Sequence, residues 1–133
     1  IEAGSDFIVT PAISSSLLNC LAKSPVPVVP GVSDTASILL ATEYGYSELK
    51  LFPASLSGGV PFLSAMGSVF SHLSFCPTGG SNEKNQQDYL ALKNVFAVGG
   101  TWIAKAEWVE NKEWSKITKA CELALGKQAQ GSC

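Results

Sequence analysis

Several things are scarce or missing in this sequence. It contains no run of Lys or Arg, so no nucleic-acid footprint is offered. No stretch of about 18 apolar residues is present to span a membrane. The opening Ile1-Glu2-Ala3-Gly4-Ser5-Asp6 is neither a signal peptide nor an initiator methionine, and the entry point reads as internal to a longer chain. The four cysteines, Cys20, Cys76, Cys121 and Cys133, include no C-x-x-C pair. The single histidine, His72, stands in no metal-ligand pattern, so no metal is expected. Isolated cysteines in an apolar chain are expected to be small buried hydrophobes, with cytosolic thiols as the default, although an even count permits disulfides. His72, in Phe70-Ser71-His72-Leu73, is expected in a surface loop between a helix and a strand.

What is present suits one soluble domain with much buried surface. The 133 residues are 46% hydrophobic and 15% charged, with a net charge of -2. Short apolar runs recur, each closed by Pro or Gly: 7–10, 26–29, 48–52, 73–76 and 95–98. They read as strands. Between them lie helical patterns. Ser14 to Ser16 cap one reaching about Lys23, and Ser33 or Asp34 caps one reaching about Tyr44, with Gly45 just past its end. Pro61 suits the first turn of a helix reaching about Phe70, and Asn82-Glu83 opens one reaching about Lys93. A short helix is expected over 106–110 and a longer one from Glu113 to about Lys127. In that last helix Trp114, Ile117, Cys121 and Leu125 form an apolar stripe suited to core packing.

The strand starts at 7, 26, 48, 73 and 95 lie 19, 22, 25 and 22 residues apart. One strand and one crossover helix fill each interval, which predicts a parallel α/β sheet with right-handed crossovers. Five such units fit an open doubly wound sheet or part of a (β/α)8 barrel. The barrel is favoured because the chemically interesting residues gather at carboxyl ends of strands, and the last two strands end in Gly-rich turns able to hold a phosphate. A barrel of about 250 residues leaves this chain roughly three units short at its N-terminus.

The most informative residue is Lys50, in the apolar run Leu49-Lys50-Leu51-Phe52-Pro53. A strand this apolar is expected to be buried on both faces. Burial disfavours an ammonium, and a neutral amine attacks carbonyls. Lys50 is therefore a candidate Schiff-base former. Two plainer readings stand beside it. Glu48 shares its strand face and can pair with it, or the strand is exposed or misassigned. Gly79-Gly80 and Gly99-Gly100, taken alone, are ordinary tight-turn signals as much as anion sites.

Read in order, Glu48-Leu49-Lys50-Leu51-Phe52-Pro53-Ala54, Gly58-Gly59, Phe75-Cys76-Pro77-Thr78-Gly79-Gly80 and Val98-Gly99-Gly100-Thr101-Trp102 resemble the 2-keto-3-deoxy-6-phosphogluconate (KDPG) and 4-hydroxy-2-oxoglutarate aldolases. Ile8-Val9-Thr10-Pro11 and Val28-Val29-Pro30-Gly31 match too, so the similarity runs from about Gly4 to Leu125. The resemblance implies a (β/α)8 class I aldolase, of which residues 1–133 supply strands 4 to 8 as the C-terminal part of one barrel domain. It implies a cytoplasmic homotrimer without cofactor that takes a small phosphorylated keto acid and engages neither nucleic acid nor membrane. By the same resemblance Lys50 forms the Schiff base, and Pro11 lines the pyruvate pocket through its backbone. Thr78 lies near the substrate hydroxyls, while Gly79, Gly80, Gly100 and Thr101 form the phosphate turns. The family's catalytic glutamate and carboxylate-binding arginine fall outside the matching stretch, and Glu48 does not match that glutamate. Ser81 stands where the family usually has an apolar residue, and Gly67-Ser68 where Gly-Pro is common.

Other readings of these residues are a different phosphate-binding barrel enzyme with Lys50 as acid or base, or a non-catalytic binding module or partial chain. Five parallel strands without closure leave two unpaired edges, so the chain alone is expected to be unstable or to self-associate.

Overall fold

Ser14 accepts a hydrogen bond from the Leu17 N–H at 3.2 Å, and this fixes the start of the first helix. Asp34 does the same for the second, in a capping box with Ser37. The structure, a computed structural model, describes residues 3–126. In chain order its elements are β1 (Ile8–Val9), α1 (Ser15–Leu21), β2 (Val28–Val29), β3 (Gly31–Val32), α2 (Thr35–Glu43) and β4 (Glu48–Leu51). Then come α3 (Gly59–Val69), β5 (Ser74–Pro77), α4 (Gln86–Leu90), α5 (Ala106–Glu110) and α6 (Trp114–Ala124). The Lys127 expected at the end of the last helix lies outside the described residues, as does Cys133.

All strand pairs are parallel and join strands consecutive in sequence: β1 with β2 in one sheet, and β3 with β4 and β4 with β5 in another. A doubly wound sheet reverses its order at a switch point. No reversal occurs here, so the units wind one way, as in the wall of a (β/α)8 barrel.

Two strands differ from expectation. The second does not end at Val29 but continues through Pro30 as two pieces, β2 pairing with β1 and β3 with β4. Pro30 has no N–H to give a ladder, though its carbonyl accepts from Lys50 N–H at 2.9 Å. The fifth run, 95–98, forms no strand; only the isolated bridges Phe75–Val95 and Thr78–Gly99 join it to β5. Phe96 N–H donates to Phe75 O at 3.1 Å. The next bond of a regular parallel ladder would be donated by residue 77, which is proline. Pairing resumes only where Gly99 N–H donates to Pro77 O at 2.9 Å.

The helix expected to hold Pro61 in its first turn does so, running over Gly59–Val69 with Phe70 as its C-cap. The helix expected over 82–93 shrinks to α4, ending at Leu90; it starts late because the Asn82 side chain accepts from Lys84 N–H and Asn85 N–H, at 2.9 and 3.3 Å, and holds a turn there.

The core lies between one sheet face and helices α2 and α3. Leu49, Leu51 and Phe75 from the sheet meet Ile38, Ala41, Leu63 and Met66. The β4 strand is not buried on both faces: Leu49 and Leu51 are fully buried, Glu48 is exposed and Lys50 half-buried. Strand alternation explains this, since only one face meets the helices. The apolar stripe of α6 does not enter the core either. Trp114 and Leu125 are exposed, Ile117 and Cys121 half-buried, and the main neighbour of α6 is α5. The cysteines are less buried than expected, Cys20 being exposed and Cys76 half-buried, and all three described ones are free. His72 is exposed in its loop, as its sequence setting suggests. Among the described residues, no helix is long and apolar enough to cross a membrane.

Candidate active site

Lys50 sits on the sheet face turned away from the helices. Its strand neighbours in register are Gly31 on β3 and Cys76 on β5. Gly31 contributes no side chain, which leaves the lysine open on that side. A Cβ at Gly31 would run into Thr10 O and the Pro11 carbonyl, so the Thr10-Pro11 backbone lies directly against it. The buried Thr10 hydroxyl accepts from Gly31 N–H at 3.0 Å and donates to Ala12 O at 2.8 Å, which locks this approach. Pro11, Gly31 and Lys50 are thus brought together across three strands, although the Pro11 side chain is exposed.

The Lys50 Nζ lies 4.5 Å from the centroid of the Phe52 ring. It does not pair with Glu48; among the described residues the ion pair is that of Lys116 with Glu113, at 2.8 Å. Cys76 faces the lysine from β5. Burial pushes its thiol up, and this outweighs the downward pull of the Thr78 hydroxyl and the Lys50 charge. The thiol is therefore held neutral beside the amine.

The end of β5 is stitched to the turn after β4. Ala54 N–H donates to Thr78 O at 2.8 Å and Ser55 N–H to Gly79 O at 3.1 Å, while Thr78 N–H donates to Leu51 O at 2.9 Å. Gly79 and Gly80 follow with φ of +95° and +80°, a left-handed pair that only glycine adopts easily. A Cβ at Gly80 would collide with the Ser55 hydroxyl. Successive glycine amides freed in this way can approach an anion. Gly99 packs against the Thr78 side chain, so Gly100 and Thr101 leave the sheet beside the Gly79-Gly80 turn. Gly100 lies under the Trp102 ring, and Thr101 is exposed.

Three residues of this site were not singled out by sequence reasoning: Thr10, Gly31 and Phe52. All lie inside the matching segments; the roles of Thr10 and Gly31 depend on neighbours 19 to 21 positions away in the chain, whereas Phe52 meets Lys50 two residues before it on the same strand face. Ser81, next after Gly80, has a buried hydroxyl with no partner. A cavity of about 610 Å³ lies apart from Lys50, between the Asn82–Gln86 segment, Trp102, Trp108 and α6. It therefore does not mark the lysine site.

A singly wound parallel wall, a lysine on its open face and adjacent glycine turns at the strand ends together define the class of (β/α)-barrel proteins. Comparison with known proteins narrows this. The profile of the KDPG and KHG aldolase family matches residues 1–120. The KHG/KDPG aldolase of Escherichia coli K12 is 40% identical over 124 residues, covering 93% of this chain and 58% of that protein. The KDPG aldolase of Legionella pneumophila, solved with pyruvate captured as a covalent carbinolamine intermediate, superposes with a TM-score of 0.90 at 41% identity. That match covers 92% of this chain and 60% of the other. The Zymomonas mobilis enzyme, solved with 3-phosphoglycerate, gives a TM-score of 0.87 at 32% identity, over 99% of this chain and 62% of the other. The chain belongs to the KDPG and KHG aldolase family, and it spans about 58% of the length of the Escherichia coli relative.

Proposed function

We propose that the protein containing this chain is a class I aldolase that cleaves 2-keto-3-deoxy-6-phosphogluconate to pyruvate and glyceraldehyde 3-phosphate, and also acts on 4-hydroxy-2-oxoglutarate. The observation that carries this reading is the setting of Lys50, half-buried on the open sheet face between Gly31 and Cys76 and beside the Gly79-Gly80 turn. Residues 1–133 are read as the C-terminal part of a single barrel domain. The neutral Lys50 amine adds to the C2 keto carbon to give a carbinolamine, which loses water to leave a cationic iminium. As the C4 hydroxyl loses its proton, the C3–C4 bond breaks and its electron pair passes to the iminium nitrogen. The aldehyde departs and an enamine remains. Protonation at carbon and hydrolysis release pyruvate and restore the amine.

The Pro11 backbone, held against Gly31, walls the pyruvate end. Thr78, half-buried next to Cys76, faces the hydroxyl-bearing carbons. Gly79, Gly80, Gly100 and Thr101 receive the phosphate through amides and one hydroxyl. No residue of this chain is assigned the general base or the carboxylate grip. The assembly is read as a cytoplasmic homotrimer.

The test is incubation with pyruvate and borohydride, followed by mass analysis of the digested protein. A pyruvate-derived adduct on the Lys50 peptide, absent from Lys50→Met, is the expected result. A full-length protein that forms no such adduct overturns the reading.

A further inference from the structure

We propose that Phe52 is a positioning residue for the Lys50 amine, holding its cationic forms against the negative face of the ring. The inference rests on the reading of Lys50 as the imine-forming residue. Phe52 follows β4 by one residue and keeps its bonding, its N–H donating to Val32 O at 2.9 Å, so its side chain shares the Lys50 face. The ammonium lies 4.5 Å from the ring centroid, within the range of a cation–π contact.

The groups around the amine leave this ring as its partner. Gly31 on one side has no side chain, and Cys76 on the other carries a thiol held neutral by burial. Glu48, two residues back on the same face, is exposed and forms no ion pair with Lys50. One edge of the ring, at Cδ2, faces Gly79, where an added Cβ would lie 3.4 Å from it. The ring therefore joins the amine to the glycine turn, which explains why an aromatic side chain suits this place.

The chemistry passes through two cations on this nitrogen, the resting ammonium and the iminium, and through two neutral forms, the free amine and the enamine. The ring stabilises the cations and gives the neutral forms nothing comparable. Trapping by pyruvate and cyanoborohydride needs deprotonation of the first cation and survival of the second, so its rate rises and then falls with pH. Weakening the ring's negative face should move both limbs to lower pH.

The experiment places mono-, di- and trifluorophenylalanine at position 52 of the full chain, beside Phe52→Leu and Phe52→Tyr, and follows the trapped mass on the Lys50 peptide against pH. Both limbs are expected to fall step by step with fluorination, by about half a pH unit in all, and Tyr is expected to hold them in place. Limbs that stay fixed while only the height changes would show that the ring merely fills space, and would overturn the proposal alone. No adduct on the unmodified full-length protein would instead overturn the aldolase reading, and the proposal with it.

Discussion

The Ser81 hydroxyl is buried without a hydrogen-bond partner, directly behind the Gly79-Gly80 turn. A buried unpaired hydroxyl costs about 1–3 kcal/mol of desolvation. Ser81→Ala removes that cost and leaves little cavity. Chemical denaturation should therefore show the variant more stable, by about 1 kcal/mol. Gly80→Ala acts in the opposite sense. It places a Cβ at φ of +80° and against the Ser55 hydroxyl, so a loss of about 1–2 kcal/mol is expected in the same measurement. Sequence inspection marked Ser81 as an oddity and Gly80 as a turn residue. It did not reveal the orphaned hydroxyl or the contact with Ser55; the latter depends on how the turn after β4 folds back over the end of β5.

Among the elements, α2 shows what local sequence can specify. Asp34 caps it through Ser37, and those hydrogen bonds hold the Asp34 carboxyl below its ordinary value. A carboxyl depressed in the folded state stabilises the fold above its unfolded value and loses that contribution as pH falls through the carboxylate range. The side chain is exposed, so the effect is small. Asp34→Asn keeps a capping oxygen while removing the charge, and its stability is expected to vary less with pH below about pH 4 in parallel melts. Asp34→Ala should cost about 1 kcal/mol at neutral pH. Both helix starts at Ser14 and Asp34 were legible because a cap is a contact over three residues. The 95–98 run was misread as a strand because its ladder fails at Pro77, a residue of the neighbouring strand. Likewise, α4 was shortened by the Asn82 side chain, whose turn competes with helix on equal terms. In the core, Phe75 is fully buried between the sheet and its helices, and Phe75→Ala is expected to cost about 3–5 kcal/mol.

On the scale of the whole molecule, β1 ends the wall with β2 as its only strand partner among the described residues, while the 95–99 segment lies along β5. Phe7 and Val9 are exposed at the β1 edge, and Trp114 on α6 and Leu125 at its C-cap are 56% and 71% exposed. An unpaired strand edge and an apolar helix stripe favour association. The chain of 133 residues is expected to sediment as associated species at micromolar concentration. Trp114→Lys together with Leu125→Lys should shift it toward the monomer. A sharp monomeric boundary for the unmodified chain would contradict this. The helical spacing of Trp114, Ile117, Cys121 and Leu125 correctly indicated an apolar face, but spacing says nothing about what stands opposite it.

The sequence by itself determined the regular βα spacing, the helix caps, and the placement of Lys50 on a strand just ahead of glycine turns. These are local properties, set by caps, by Pro and Gly, and by apolar periods of a few residues. Tertiary structure alone decided that β4 buries Leu49 and Leu51 but leaves Lys50 half-open, because only one sheet face meets α2 and α3. It also set Gly31 and Cys76 as the flanks of the lysine and split the second strand at Pro30. Register between strands about 20 residues apart is fixed by packing across the sheet, and no local pattern encodes it.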